Sequence, residues 1–126
     1  PPPTPTPTVT ATPTAPPVGS WTASAKTSRS SVRRGQTQVV TATVTSPSTG
    51  NALVDIEIYN PQGVKVHQAY FDNQPLSAGV PRSFSTSWKV PAGSAKGTYT
   101  VKIGVFAPGW GTMYLWNDSA RTFVVR

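Results

Sequence analysis

Four carboxylates and one imidazole are all the acid-base equipment this chain of 126 residues carries: Asp55, Glu57, Asp72, Asp118 and His67. There is no Cys, which excludes a thiolate nucleophile, a thiolate-metal site and any disulfide. A Ser-His-Asp relay would have to use His67, and the strand register derived below spends His67 on a cross-strand ion pair with Glu57. Glycoside hydrolysis needs two carboxyl groups roughly 5 to 9.5 Å apart on either side of the scissile bond. Asp55 and Glu57, two residues apart on one strand, are separated by about 7 Å, but they project toward the same side and cannot flank a sugar. The expectation is therefore no catalytic residue and no enzyme activity. Asp72-Asn73 and Asn117-Asp118 put oxygen atoms on two loops. Calcium takes six to eight oxygens, so one structural calcium is conceivable, while the expected reading is no metal site and no cofactor, with both acidic pairs as turn formers. Asn117-Asp118-Ser119 also fits the N-glycosylation acceptor pattern.

What the chain does have is aromatic side chains, concentrated between Gly97 and Trp116 in GTYTVKIGVFAPGWGTMYLW. A sugar presents apolar C–H faces and hydroxyl edges, so a carbohydrate site calls for flat aromatic rings flanked by amide, carboxylate and hydroxyl groups. Trp110 is the first candidate for stacking, with Phe71, Tyr114 and Trp116 next and Asn73, Asn117 and Asp118 as polar partners. The alternative is that Trp110 folds back as a plug over the sheet end and Trp116 packs beneath a loop. Met113 and Leu115 alternate with Tyr114 and Trp116, so both phases of that segment are apolar and the pattern leaves both readings open.

The elements that must position these residues are strands. Val40, Ala42 and Val44 share one face of a strand over 37–45; Val54, Ile56 and Ile58 share the inward face of another over 52–59, leaving Leu53, Asp55, Glu57 and Tyr59 outward. Asn60-Pro61-Gln62-Gly63 suits a type I turn closed by a glycine bulge, which pairs Asn60 with Val64. Continued without interruption, this register sets Ile58 against Val66 and Val54 against Tyr70 inward, and Tyr59 against Lys65, Glu57 against His67 and Leu53 against Phe71 outward. Segment 72–81 is a loop. Further strands follow over 82–90, over Tyr99, Val101, Ile103 and Val105, and over 120–126, with an edge strand somewhere in 21–32. Tyr70, Phe84, Trp88, Tyr99 and Phe123 fall in phase with the inward aliphatics and are expected in the core. About seven strands with turns every eight to twelve residues and no amphipathic helical window predict an all-β fold, an immunoglobulin- or fibronectin-type-III-like antiparallel sandwich of two sheets. In such a sandwich the strand from Gly97 lies antiparallel to that from Ala52, bringing Phe106 beside Leu53. This register predicts an interface patch of Leu53, Phe71, Phe106 and Trp110 at one pole of an outer face.

Residues 1–18 alternate Pro and Thr, as in Thr4-Pro5-Thr6-Pro7-Thr8, and 19–126 form the sandwich module. Such a segment is an unpacked polyproline-II-like spacer reaching on the order of 50 Å at about 3.1 Å per residue. The formal charge of +7 is spread from Lys26 to Arg126, with only Arg33 and Arg34 adjacent. Dispersed charge of this kind argues against a nucleic-acid groove reader. No apolar run approaches the roughly 18 residues of a membrane span.

Phe71-Asp72-Asn73-Gln74, Trp88 before a Pro-Gly turn, Gly97-Thr98-Tyr99-Thr100-Val101, Phe106 followed by Pro-Gly-Trp-Gly, and Trp116-Asn117 near a closing Thr-Phe-Val strand together resemble the C-terminal accessory β-sandwich modules of bacterial secreted glycoside hydrolases. The Pro-Thr segment resembles the linkers of the same enzymes. The resemblance covers about Val64 to Val125. It implies a secreted, extracellular, non-catalytic module, joined through the linker to a catalytic domain on its N-terminal side. Its partner would be cellulose or a hemicellulose such as xylan; alternatively the module docks on its catalytic domain or on another protein without binding sugar.

Overall fold

The computed structural model describes residues 20–126; the linker expected over 1–18 lies outside them. Eight strands and no helix occupy this span: β1 (Thr22–Thr27), β2 (Ser31–Val32), β3 (Thr37–Thr45), β4 (Gly50–Tyr59), β5 (Lys65–Leu76), β6 (Arg82–Lys89), β7 (Gly97–Phe106) and β8 (Met113–Val125). They form a three-stranded sheet in the order β1-β3-β6 and a five-stranded sheet in the order β2-β8-β7-β4-β5. All neighbours are antiparallel except β2, which runs parallel to β8. The fold is the expected two-sheet sandwich, with the short β2 as an additional edge.

The inward phases meet between the sheets. Val40, Ala42, Val44, Phe84 and Trp88 from one sheet face Val54, Ile56, Ile58, Tyr99, Val101, Ile103, Val105, Phe123 and Val125 from the other. Each fully buried aliphatic or aromatic side chain contributes roughly 1.5–3 kcal/mol relative to exposure. Trp88, Tyr99 and Phe123 form the aromatic centre of this layer, with ring centroids 5.6 to 6.3 Å apart. The Tyr99 hydroxyl donates to the Ala95 carbonyl at 2.7 Å, fastening the turn before β7 by a tyrosine corner.

Two irregularities in the β4–β5 ladder decide which residues reach the outer face. The turn forms as its sequence requires: Gly63 N–H donates to Asn60 O, and Asn60 N–H donates to Val64 O, both at 2.9 Å. Tyr59 then faces Lys65, but Ile58 faces His67, so one extra residue, Val66, bulges from β5. A one-residue slip turns every following side chain over. His67, Ala69 and Phe71 point inward instead of outward. Gln68 and Tyr70 point outward with Tyr70 exposed, while the bulged Val66 is exposed beside Trp88 and Tyr99. This corrects three expectations: Tyr70 is not a core residue, Glu57 is not opposite His67, and Phe71 does not join Leu53 outside. The chemistry of the bulge accounts for it. His67 shares a 2.9 Å hydrogen bond with Thr86 of the facing sheet, and Phe71 packs on Phe84 at 5.3 Å between centroids. Burial lowers the imidazole's pKa from its ordinary value. A second bulge near Asp72 and Asn73, where Asn73 takes a left-handed conformation (φ 54), lets β5 continue to Leu76 through what the sequence reads as a loop.

Candidate functional site

Directly opposite residues share a face, so the pairings of β8, β7, β4 and β5 write out the outer face of the five-stranded sheet in rows. One row is Met113, Phe106 and Leu53; the next is Trp116, Gly104, Asp55 and Tyr70; the next is Lys102, Glu57 and Gln68. Gly104 is the hinge of this arrangement. A Cβ at that position would lie 2.6 Å from the Phe106 ring and 2.9 Å from the Trp116 ring, so both rings lie over the glycine. Beyond Phe106, the loop 107–112 returns Trp110 across the sheet edge. Its ring sits 5.3 Å from Phe106 and 5.3 Å from Tyr70, tilted 56° to each. Trp110 itself has φ 63, a left-handed conformation rare for a bulky residue. The loop holds it there through Ala107 N–H to Thr112 O, Gly111 N–H to Ala107 O, and Gly109 N–H to the Asp72 carboxylate at 2.9 Å.

The result is an aromatic strip of Tyr70, Trp110, Phe106 and Trp116 running across the sheet. Tyr70 is exposed, Trp110 and Trp116 are half-buried and Phe106 is buried. The four residues of the predicted patch are thus partly reassigned. Leu53 does face Phe106, and Phe106 does meet Trp110, but Leu53 and Phe106 are buried by the strip, and Tyr70 stands where Phe71 was expected. Because Trp110 is tilted against both neighbours, the strip is stepped and not a flat plate.

Under the strip lie two acids that the alternating pattern of β4 places in solvent. Asp55 and Glu57 are fully buried. Gln68 Nε2 donates to Asp55 Oδ1 at 3.0 Å and to Glu57 Oε2 at 3.3 Å, and the Tyr59 hydroxyl donates to Glu57 Oε1. Asp55 Oδ2 is buried and faces no donor. Burial first, then the hydrogen bond and charge of Glu57, push the Asp55 carboxyl up to about 9, so at neutral pH it carries the proton that Oδ2 needs. The same burial and Glu57 raise the Tyr59 phenol above its ordinary value.

The remaining candidates fall in three places. Asp118 is exposed at a wide bulge of β8; it accepts from Lys102 Nζ at 2.9 Å and from Trp116 Nε1 at 3.1 Å. Those two donors, Lys102 first, hold its carboxyl below the ordinary value. Asn117 points inward and donates to the Ala23 carbonyl at 2.8 Å, joining β8 to β1. Asn73 accepts from Asn51 Nδ2 at 2.8 Å on the far edge. The strip therefore gathers Trp110, Trp116 and Asp118, while Phe71 and Asn117 face the core, Asn73 lies at the β5 edge, and Tyr114 stacks on Trp21. Tyr70 and Lys102 are the strip residues that sequence reasoning missed; only the bulge after Lys65 could have signalled Tyr70.

Asp72 and Asp118 sit on β5 and β8, three strand spacings and therefore at least about 14 Å apart. That is too far for the two acidic pairs to share one calcium ion. Among the described residues no group of three or more Asp, Glu or His could hold a metal ion.

No protein-family model and no curated protein matches the sequence. Solved structures share its fold at low identity. The C-terminal domain of Wzt matches with a TM-score of 0.64 at 17% identity, over 86% of this chain and 74% of that one. The CARDB domain of the PF1109 protein from Pyrococcus furiosus, solved in complex with di-metal ions, matches with a TM-score of 0.52 at 16% identity, over 83% and 84%. The β-glucosidase EmGH1 from Erythrobacter marinus matches with a TM-score of 0.53 at 11% identity, over 85% of this chain but 15% of the enzyme. These likenesses place the chain among the β-sandwich domains and extend to its fold alone.

Proposed function

We propose that this chain is a non-catalytic carbohydrate-binding module of a secreted polysaccharide-degrading enzyme, carried on its Pro-Thr segment beside a catalytic domain. Its outer strip takes a cellulose or hemicellulose chain. The observation that carries the reading is Trp110: a bulky residue held in a left-handed conformation, half-exposed on a sheet face, between Tyr70 and Phe106. Local strain of this kind accumulates at binding and active sites. Trp116, Lys102 and Asp118 supply a second ring and hydrogen-bonding groups farther along the same face. A catalytic role finds no support in the carboxylates, since one pair is buried and the exposed pair is at least about 14 Å apart. A sandwich of this fold also occurs as a small part of a β-glucosidase chain.

Affinity electrophoresis in soluble xylan, glucan and mannan, with pull-down on insoluble cellulose, tests the proposal. Wild type should be retarded by at least one polymer, and Trp110→Ala should sharply reduce the retardation. Binding unchanged by Trp110→Ala, or no binding to any polymer, refutes it.

One observation favours the second reading, docking on a protein. Val64, Val66 and Tyr70 are exposed along the edge strand β5 and its turn, which suits an edge-on contact. In that case Val66→Lys weakens association with the catalytic domain and the isolated module binds no sugar.

A further inference from the structure

A second pair of rings stands at the Trp110 end of the sandwich, on the core side of the sheet. The indole of Trp21 and the ring of Tyr114 stack 4.8 Å apart with their planes 10° from parallel. Neither is placed by regular strand pairing. Trp21 immediately precedes β1, and Tyr114 is the one extra residue where Val105 faces Leu115 and Phe106 faces Met113. A bulge re-aims a side chain off the ladder, and bulges are over-represented beside functional sites. Both rings rest against the inter-sheet core, which braces the stack from behind.

A cleft of about 340 Å³ lies between the stack and the β3–β4 connection, lined there by Ser48 and Thr49 of the turn and by Asn51 at the start of β4. That volume is near the lower end of small-ligand sites, roughly 300–1,000 Å³. The Thr49 hydroxyl accepts from Ala78 N–H at 3.1 Å, and the Asn51 amide donates to Asn73 Oδ1. The hydroxyl proton of Thr49 and the side-chain carbonyl of Asn51 remain available to a ligand. Among the described residues no charged side chain lines the cleft. A rigid aromatic wall opposite hydroxyl and amide groups, without charge, suits a neutral, hydroxyl-rich ring.

We propose that this cleft is a second carbohydrate site, taking one neutral pyranose unit against the Trp21–Tyr114 stack independently of the outer strip. The proposal rests on the reading of the ligand as a polysaccharide. Calorimetric titration of the full chain with cellohexaose, xylohexaose and mannohexaose separates the two. With the oligosaccharide that binds, wild type should show two sites per chain, and Trp21→Ala and Asn51→Ala should each leave one. Asn51 is exposed, so its variant stays informative if Trp21→Ala does not fold. Trp110→Ala should also leave one site, but the other. Undiminished stoichiometry and affinity in folded Trp21→Ala and in Asn51→Ala overturn the cleft and leave the strip standing. Binding lost in the two cleft variants but unchanged in Trp110→Ala overturns the strip and leaves the cleft. No binding of any hexaose by wild type overturns both.

Discussion

Replacing Asp55 with Asn should change how the stability of this domain depends on pH. Asp55 is fully buried, accepts one hydrogen bond from Gln68, and has a second oxygen that faces no donor beside Glu57. Its carboxyl is raised from 3.8 to about 9, chiefly by burial. Between these values the folded chain keeps a proton that the unfolded chain releases. The native state therefore binds more protons, and stability falls as pH rises through this window. Each pH unit costs about 1.4 kcal/mol while the proton is held. Asparagine replaces the protonated oxygen with an N–H that donates to Glu57 at any pH, so the variant lacks this slope. From pH 5 to pH 8 the variant should gain about 4 kcal/mol relative to wild type. That is a large share of the roughly 5–15 kcal/mol that holds a domain folded. Urea unfolding followed by tryptophan fluorescence at pH 5, 6, 7 and 8 measures the difference, in which titrations common to both proteins, His67 among them, cancel. A difference that stays constant across the four pH values refutes the claim that folded Asp55 holds a proton.

Trp110→Gly separates a platform from a plug: relief of the left-handed strain, about 1–2 kcal/mol, offsets most of the loss of a half-buried ring. The net cost in a thermal or urea melt should be about 1 kcal/mol, whereas a plug would cost about 3–5 kcal/mol. Gly104→Ala should destabilise by about 1–3 kcal/mol, because its Cβ meets the Phe106 and Trp116 rings; a shift in tryptophan emission should accompany the loss, and a neutral melt contradicts the placement of those rings. Burial lowers the pKa of His67, so the unfolded chain takes up a proton first as pH falls. Stability should decline below the ordinary imidazole value of about 6.5, and His67→Gln should remove that part of the acid sensitivity in melts between pH 7 and pH 5.

The sandwich was legible in the sequence because period-two runs such as Tyr99, Val101, Ile103 and Val105 admit only one buried face, and that face must meet another sheet. The Asn60–Gly63 turn was legible for the same kind of reason: its geometry depends on four adjacent residues. The approach of Phe106 to Leu53 followed once two strands were known to be antiparallel neighbours. What followed the turn was not legible. Whether Val66 bulges is decided by partners distant in sequence, Thr86 and Phe84 waiting for His67 and Phe71, and Asp55 and Glu57 waiting for Gln68. That single residue exchanges Phe71 for Tyr70 on the outer face. The burial of Asp55 and Glu57 was equally hidden, because alternation along β4 shows a polar face, and only side chains folding flat from neighbouring strands, over a glycine at 104, can roof it. Local pattern determined which segments pair and which face is core. Register and coverage were decided by side-chain contacts across the sheets, and they set which aromatic rings this protein shows to a ligand.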